Sequence, residues 1–440
     1  MFGFPDLLDL PDHLAREGDG HGTTSGHDSK TLVVKPQRWP ILTAEDRAAV
    51  ARVLDRGVLS GAGAPEMRAL EAEFAAAVGA RFCLATNSGT SALHIALAAA
   101  GVGPGDEVIV PALSFIATAQ AVLHQGATPV FADVDPVTYN IDPADAARRV
   151  TLRTRAIVPV HLHGLPADMD AITGLAERHG LTVIEDAAQA HGALYKGCAV
   201  GTLGAMAAFS LNSTKNLPAG EGGLFVTNSE ELYARAARVR FDGLEPPGKW
   251  DASHPLDDEA ESLATLRGWM YLPGELTSAL ARAQLRRLAE TTARSQRNAA
   301  RLSARLARLP GVEPPAVPPD RTHVFHKYRV RLDPGRAGVA LAPVALRDRV
   351  LEALRPEGVE AVLWQTAPLP AHPLFGSREG HSRERYPNAA AVLDSTLIIG
   401  SQSYPLFAQP LEVVDAWAAG FERAWTAILK PLLRVWPSSR

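Results

Sequence analysis

Cysteine is nearly absent from this chain, and its scarcity argues against two kinds of stabilised architecture. The 440 residues include two cysteines, Cys83 and Cys198, which lie far apart in the sequence. Two distant cysteines do not make a disulfide framework, and they are too few for a cysteine-ligated zinc site. Free thiols suit a reducing compartment, so we expect a cytoplasmic protein.

Long apolar runs and an excess of charge of one sign are also lacking. No apolar run approaches the length needed to cross a bilayer, and Asp6, Asp9 and Asp12 interrupt the pattern that a signal peptide requires. The 44 basic and 48 acidic side chains are interspersed and leave a net charge of −4. We therefore expect neither a membrane nor a nucleic acid as a partner.

The sequence does contain a regular alternation of strand-like apolar runs and amphipathic helical segments. Residues 1–38 precede it and are too polar to bury a core, so we expect a disordered tail there. We predict a large domain over residues 39–280 and a smaller α+β domain over residues 281–440. The Pro-, Gly- and Asp-rich segment 245–261 is expected to be a mobile surface loop.

This alternation predicts an α/β fold with a mainly parallel sheet covered by helices on both faces. The strands are expected over residues 82–86, 107–111, 128–134, 156–161, 181–184, 207–211 and 224–227. Helices are expected between them over residues 114–124, 144–150, 167–179 and 230–240. Farther along we predict one long helix over residues 277–309, with its arginines on a solvated face, and a strand over residues 324–332.

A single lysine, Lys215, lies in a loop of small polar residues between two of the apolar runs. Partial burial of such an amine would lower its pKa and make it a usable nucleophile. That chemistry suits a lysine that forms a Schiff base with pyridoxal 5′-phosphate (PLP). The alternative interpretation is an ordinary solvated loop lysine.

An acidic residue, Asp186, falls at the carboxyl end of the apolar run 181–184. Open α/β sheets bind ligands at the carboxyl ends of their strands. PLP needs a carboxylate partner that keeps its ring nitrogen protonated, and Asp186 is a candidate for that role. A helix-capping or loop carboxylate is the alternative.

A turn of small residues, Ser88, Gly89, Thr90 and Ser91, joins the strand over 82–86 to an apolar helix. Free backbone N–H groups and the positive end of the helix dipole would favour a phosphate there. The lysine of a nucleotide-binding P-loop is missing, so ATP and GTP are disfavoured. Simple capping of the helix is the alternative.

Other side chains near these strand ends allow more than one interpretation. Phe115 follows the strand over 107–111 and could stack on a flat ligand ring or pack in the core. His161 and His163 are two residues apart and could face one side, but no third ligand is evident. We therefore predict no metal site.

Four segments together resemble the DegT/DnrJ/EryC1/StrS family of PLP-dependent sugar and aminocyclitol aminotransferases. The resemblance runs from about Trp39 to the C-terminus, and it implies the fold-type I, aspartate aminotransferase-like architecture. The segments that carry it are TNSGTSAL (86–93), GDEVIVP (105–111), EDAAQAHG (185–192) and the run from Ser210 through Lys215 to GEGG (220–223).

The resemblance implies a role for each matching residue. Lys215 would form the Schiff base and move the proton, and Asp186 would pair with the ring nitrogen. Gln189 would approach the ring hydroxyl, and Phe115 would stack on the ring. The phosphate would be held by residues of the small-residue turn and of the strand before Lys215, namely Ser88, Gly89, Thr90, Ser91 and Ser210. Some relatives with histidine in place of this lysine are sugar dehydratases, so the lysine favours transamination.

Two positions depart from the family pattern. Met270 stands where the family usually has an asparagine that often reaches the phosphate of the partner subunit. Pro370 stands where the family has the histidine of a Pro-Leu-His motif, and His372 lies nearby. Both changes are on the substrate side, so we expect an unusual acceptor.

The resemblance implies a homodimeric aminotransferase that uses L-glutamine or L-glutamate to aminate a keto-sugar or keto-cyclitol. The setting would be antibiotic or cell-surface sugar biosynthesis. Three alternatives stay open: a PLP-dependent dehydratase, an enzyme that makes aminoaromatic acids, and a non-catalytic PLP-binding partner subunit.

Overall fold

Strands and helices alternate over residues 82–186, as the apolar pattern predicts. The computed structural model describes residues 34–244, 264–376 and 383–433. Most of the predicted tail and all of the predicted loop over 245–261 lie outside these ranges. The division into domains at residue 280 stays a prediction.

The strands and helices are numbered in chain order. The strands are β1 Phe82–Thr86, β2 Glu107–Pro111, β3 Thr128–Ala132, β4 Thr154–Ile157, β5 Thr182–Asp186, β6 Leu194–Tyr195, β7 Cys198–Ala199, β8 Met206–Ser210, β9 Gly223–Thr227, β10 Val312–Glu313, β11 Tyr328–Leu332, β12 Ala361–Val362 and β13 Thr396–Ile399. The helices are α1 Ala44–Arg56, α2 Pro65–Val78, α3 Gly89–Ala99, α4 Ala117–His124, α5 Pro143–Arg149, α6 Met169–His179, α7 Glu230–Arg240, α8 Glu275–Leu285, α9 Leu288–Leu306, α10 Pro343–Leu354, α11 Pro373–Gly376, α12 Pro387–Ser395 and α13 Leu411–Leu433.

Seven of the described strands form a sheet in the order β1-β9-β8-β5-β4-β2-β3. The pairs β2–β3, β2–β4, β4–β5 and β5–β8 are parallel, whereas β9 runs antiparallel to both of its neighbours. The sheet is therefore mainly parallel, as predicted. Buried apolar side chains lie on both of its faces, which explains why its strands are almost continuously hydrophobic.

A second sheet lies in the C-terminal part of the chain. It has the order β10-β11-β13-β12 and is antiparallel throughout. Helices α10, α12 and α13 accompany it in sequence, so this region has the predicted α+β character. No helix in the described ranges is both long and apolar enough to span a bilayer.

The prediction of a single helix over 277–309 is wrong, because the chain breaks between α8 and α9. Arg287 has a non-helical backbone (φ −105°, ψ 2°), and its guanidinium pairs with the buried Asp46 at 2.7 Å. The break lets α8 pack on α1 and α2 while α9 packs on α13. The arginines of the predicted helix do not form a simple solvated face either, because Arg282 pairs with Glu66 and Glu73.

Several predicted elements are shorter than their apolar runs, and the differences are largest in three of them. The helix predicted over 114–124 begins at Ala117, and the strand predicted over 324–332 begins at Tyr328. The strand predicted over 156–161 is β4, which ends at Ile157. Residues beyond Ile157 still run beside β5, since the His161 N–H donates to the Asp186 carbonyl at 3.0 Å.

Glu275 caps a helix that has no cap of its own. Ala64 precedes α2 and offers no side-chain acceptor. The fully buried Glu275 carboxylate instead accepts from the backbone N–H groups of Glu66 at 2.9 Å and Met67 at 2.8 Å, and it pairs with Arg56 at 3.0 Å. This one side chain therefore ties α8 to the start of α2.

Glu275→Ala is expected to lower the free energy of unfolding by about 2–4 kcal/mol, because it leaves buried N–H donors without an acceptor. Urea unfolding followed by circular dichroism measures the change. The control is Glu313→Ala, which removes a more exposed ion pair with Arg336 and should cost at most about 1 kcal/mol. Equal losses in the two variants would contradict the capping role.

Candidate active site

Three strand ends bring the predicted functional segments together at one edge of the large sheet. Strand β9 links them, because Gly223 is paired with Thr86 at the end of β1 and with Ser210 at the end of β8. Strand β5 lies beside β8 and ends at Asp186. The small-residue turn after β1, Asp186 and the loop after β8 that carries Lys215 therefore share this edge.

The loop that carries Lys215 is held by backbone hydrogen bonds across its base. Leu211 N–H donates to Gly222 at 2.8 Å, and Ser213 N–H donates to Gly220 at 2.8 Å. Lys215 N–H donates to Asn212, and its carbonyl accepts from the Trp39 indole at 3.2 Å. The lysine backbone is thus fixed at both its N–H and its carbonyl.

Burial lowers the pKa of the Lys215 amine to about 8, from an ordinary value of 10.5. The negative charges of Asp186 and Glu221 act in the opposite direction and favour the ammonium form. A sizeable fraction of the amine is therefore neutral near pH 8, which a nucleophile or a proton acceptor requires.

Asp186 is buried at the end of β5 and has two hydrogen-bond donors. Thr118 Oγ1 donates to Oδ2 at 2.7 Å, and the Ala188 N–H donates to Oδ1 at 3.2 Å. Burial raises the pKa of the carboxyl, while these two bonds and the charge of Lys215 oppose the rise. The environment is suited to a carboxylate with a cationic partner close by.

Thr118 is a positioning residue that the sequence interpretation missed. It lies in the first turn of α4, and its hydroxyl shares a second hydrogen bond of 2.8 Å with Ser114. The two successive hydrogen bonds, from Ser114 to Thr118 and from Thr118 to Asp186, fix the orientation of the carboxylate. The i, i+4 pair of hydroxyls in the segment after β2 was an available signal, but its target lies 68 residues away.

The small-residue turn acts as a helix cap and leaves N–H donors free. Ser88 precedes α3, and its Oγ accepts from the Ser91 N–H at 3.0 Å. Ser91 Oγ lies 2.6 Å from Asn87 Oδ1, so this hydroxyl is engaged inside the turn. The N–H groups of Gly89 and Thr90 are in the first turn, where no carbonyl within the helix can accept from them. They are the donors that the turn offers to an anion.

Backbone packs on backbone where this turn meets β9 and β8. A Cβ added to Gly223 would lie 2.3 Å from the Ser88 carbonyl oxygen, and one added to Gly89 would lie 2.9 Å from Ser210 Cβ. Only glycine allows this approach, which sets the distance between the turn and the loop carrying Lys215.

Gly223→Ala is expected to raise the dissociation constant for PLP about tenfold or more, because the added methyl pushes the turn away from β9. Equilibrium dialysis against PLP measures the constant. Gly103→Ala is the matched control, since a Cβ there meets no atom within 4 Å. An unchanged PLP affinity in the Gly223 variant would show that the close approach is not needed for binding.

The other predicted site residues are spread around this edge. Gln189 is buried, and its Oε1 accepts from the His163 N–H at 2.8 Å. Ser210 Oγ accepts from the Asn212 N–H at 3.3 Å, so it lies against the loop that carries Lys215. Phe115 is 56% exposed beyond the end of β2, which leaves its ring free to cover a ligand.

The segment around Met270 contacts the turn through its neighbour. The Tyr271 carbonyl accepts from the Asn87 N–H at 2.8 Å, and the Tyr271 hydroxyl lies 3.0 Å from His94 Nδ1. Met270 itself is 54% exposed. Pro370 is buried in a short 3-10 turn, and its side chain has no polar atom that could replace a histidine.

The two histidines considered for a metal have protein partners instead. His161 Nε2 lies 2.9 Å from the buried Glu185, and His163 Nε2 accepts from Arg329 at 2.9 Å. In the ranges that the structure describes, no three His, Cys, Asp or Glu side chains are grouped so as to hold a metal ion.

The residues at this edge fit PLP in three respects. The turn offers N–H donors for a phosphate, and the Lys215 amine has a lowered pKa that suits reaction with an aldehyde. The third feature is the buried carboxylate of Asp186, which is oriented by a hydrogen bond from Thr118. A carboxylate of this kind can keep a pyridine nitrogen protonated.

Comparison with known proteins supports this fit. The spore coat polysaccharide biosynthesis protein SpsC of Bacillus subtilis (strain 168) is 37% identical over 84% of this chain and 92% of its own length. GDP-perosamine synthase of Caulobacter vibrioides is 39% identical over 73% of this chain and 82% of its own. The structure of 3-amino-5-hydroxybenzoic acid synthase has a TM-score of 0.79 at 32% identity and covers 89% of this chain and 99% of that one.

These likenesses confirm the predicted fold-type I architecture, the PLP cofactor and the aminotransferase activity class. The model of the DegT/DnrJ/EryC1/StrS aminotransferase family matches residues 40–409, which is most of the chain. The chain therefore belongs to the DegT/DnrJ/EryC1/StrS family of PLP-dependent aminotransferases, as its four motifs predict.

Proposed function

We propose that this enzyme moves an amino group from L-glutamine or L-glutamate to the ketone of a keto-sugar or keto-cyclitol. The observation that carries the proposal is the meeting of Lys215 and Asp186 at one end of the large sheet. Burial lowers the pKa of the lysine amine there to about 8, although the charge of Asp186 acts in the opposite direction. The likeness to GDP-perosamine synthase supports a sugar acceptor. A role in antibiotic or other amino-sugar biosynthesis, a homodimer and a cytoplasmic location are further parts of the proposal.

Bound PLP supplies an electron sink that stabilises negative charge at the carbon next to the transferred nitrogen. Asp186 contributes by keeping a proton on the ring nitrogen, and Thr118 holds the carboxylate in the orientation that this requires. In this proposal Phe115, which is exposed beyond β2, covers the ring face, and the N–H groups of Gly89 and Thr90 in the first turn of α3 bind the phosphate.

Lys215 is the acid and base of the proposed reaction. A group that must both accept and donate a proton works best when its pKa lies near the operating pH, and burial brings this amine to about 8. Its backbone is fixed at both the N–H and the carbonyl, so the side chain starts from one defined position in the loop. The lysine thus has the pKa and the restraint that proton transfer at one carbon requires.

The test separates donor from acceptor. Purified enzyme with PLP is mixed with L-glutamine, L-glutamate or L-alanine, and the visible absorption of the bound cofactor is recorded. The enzyme is then incubated with α-nitrogen-15-labelled donor and a panel of free and nucleotide-linked keto-sugars and keto-cyclitols. Mass spectrometry should find labelled amine in a sugar or cyclitol product. A cofactor spectrum that responds to no donor would contradict the proposal.

A second candidate function is amination coupled to formation of an aromatic acid. The likeness to 3-amino-5-hydroxybenzoic acid synthase favours it over a simple dehydratase or a non-catalytic PLP-binding subunit. Loss of water with a new aromatic absorption band in the product would identify this reaction. Loss of water without transfer of nitrogen would identify a dehydratase instead.

A further inference from the structure

Within the described residues, two neighbouring cations, Lys327 and Arg329, form no ion pair with a carboxylate, and Lys327 also interacts with Lys215. Lys327 immediately precedes β11, and Arg329 is the second residue of that strand. The positive charges of Lys215 and Arg329 both act on Lys327 and, together with burial, lower its pKa to about 8. Two basic side chains therefore extend the positive region that begins at Lys215.

Arg329 is buried, and the protein does not neutralise its charge. Its guanidinium donates to His163 Nε2 at 2.9 Å, to Thr396 Oγ1 at 2.6 Å and to the Trp364 carbonyl at 3.3 Å. All three acceptors are uncharged, because burial lowers the pKa of His163 and keeps its ring neutral. Burial also lowers the pKa of Arg329, to about 10.

The ammonium group of Lys327 has no carboxylate partner within the described residues. Lys327 contributes to two adjoining pockets, one beside His326 and Thr214 and the other beside His163 and Arg329. Neither pocket has an aspartate or glutamate in its wall. Lys327 is half-buried, and a cation that is partly removed from water without a counter-charge costs free energy, which an anionic ligand would offset.

We propose that Lys327, supported by Arg329, binds an oxyanion of a substrate, either a carboxylate or a phosphate. This proposal rests on the proposed amino transfer and adds the side chains that recognise an anionic group of a substrate. The turn that suits the cofactor phosphate is a separate structure at the start of α3, so this second site remains for a substrate. The donor carboxylate and an acceptor phosphate are its two possible sources.

The test compares Lys327→Gln, Lys327→Arg and the control Lys196→Gln in the PLP-loaded enzyme. Lys196 is an exposed lysine paired with Asp170 on the β6–β7 hairpin. Titration calorimetry with L-glutamate probes a carboxylate, and the same titration with inorganic pyrophosphate probes a phosphate. Lys327→Gln should raise the dissociation constant of at least one probe roughly 10- to 100-fold. Lys327→Arg should keep the dissociation constants within about threefold of the wild-type values.

Each pattern of results decides the proposal. Weaker L-glutamate binding alone assigns the site to the donor, and weaker pyrophosphate binding alone assigns it to an acceptor. Unchanged affinity for both probes would overturn the proposal. A matching fall in PLP affinity, measured by dialysis, would also overturn it, since the anion would then belong to the cofactor.

Wild-type enzyme gives a second measurement that does not depend on the folding of a variant. Affinity for the bound probe should fall as the pH rises through about 8, because Lys327 loses its charge there. The groups around it are Lys215, Arg329, His163, His323, His326 and Tyr139. The three histidines are held neutral by burial, and Lys215 is engaged with the loaded cofactor, so Lys327 dominates this titration.

Failure of the anion site and failure of the proposed amino transfer give different results. If no amino donor changes the cofactor spectrum, amino transfer is wrong, yet the calorimetric comparison still tests whether Lys327 binds an oxyanion. If donors react but affinity is flat from pH 7 to pH 9, the anion site is wrong and amino transfer stands.

Discussion

Lys215→Ala is expected to lower the rate of amino transfer by at least about 10³-fold, because in the proposed function this lysine both holds the cofactor and acts as the acid–base. The visible band of bound PLP should shift to that of the free aldehyde, while the far-ultraviolet circular dichroism stays unchanged. Steady-state rates with the best donor and acceptor measure the loss, and the absorption spectrum measures the change in attachment.

The matched control is Lys196→Ala, which removes an exposed lysine that is remote from the strand ends. It should keep both the band and the rate. Partial recovery of the Lys215→Ala rate by added methylamine would support an acid–base role, because a small amine could fill the space left by the side chain. Retention of more than about a tenth of the wild-type rate without added amine would contradict the role.

Asp186→Asn is expected to lower the rate by about 10²- to 10³-fold while PLP stays bound. The amide is close to the carboxylate in shape, so Thr118 keeps an acceptor, but the negative charge that favours a protonated ring nitrogen is gone. Stopped-flow measurement of the reaction with the amino donor isolates this step from acceptor binding.

Glu107→Gln is the control for the loss of a buried carboxylate. Glu107 begins β2 at the opposite edge of the same sheet, where it pairs with Arg153. It should change the rate by less than threefold. Equal losses of activity in the two variants would mean that stability, and not the charge at Asp186, explains the effect.

The dependence of activity on pH tests whether Asp186 must be ionised. Burial raises the pKa of Asp186, and the hydrogen bond from Thr118 opposes that rise. Protonation of this carboxyl removes its charge, so activity falls as the pH drops through its pKa. Thr118→Val should move the acid limb to higher pH, because it removes one of the groups that favour the ionised form.

Much of the fold was predictable from local patterns. Apolar runs separated by amphipathic segments determine the alternation of strands and helices, and a parallel sheet follows because each connection is long enough for a helix. Local patterns did not predict features of the fold at positions where residues distant in sequence meet. The break between α8 and α9 at Arg287 depends on Asp46, which is 241 residues away, and no helical periodicity contains that information.

The same division applies to the site. Lys215, Asp186 and the turn at Gly89 were predictable because their types and spacing carry chemistry of their own. Thr118 and the two cations of the proposed anion site, Lys327 and Arg329, were not among the predicted site residues, because an isolated threonine, lysine or arginine has no distinctive local pattern. Their importance comes from what they face, which chain order does not show.

The sequence by itself determined the reactive residue types, their places at strand ends and the family to which the chain belongs. Only the tertiary structure decided the pKa of Lys215, the orientation of Asp186 and the absence of a carboxylate beside Lys327 in the described part of the chain. The physical reason is desolvation. How far a charge is removed from water, and which other charges share its surroundings, depends on segments that meet only after folding.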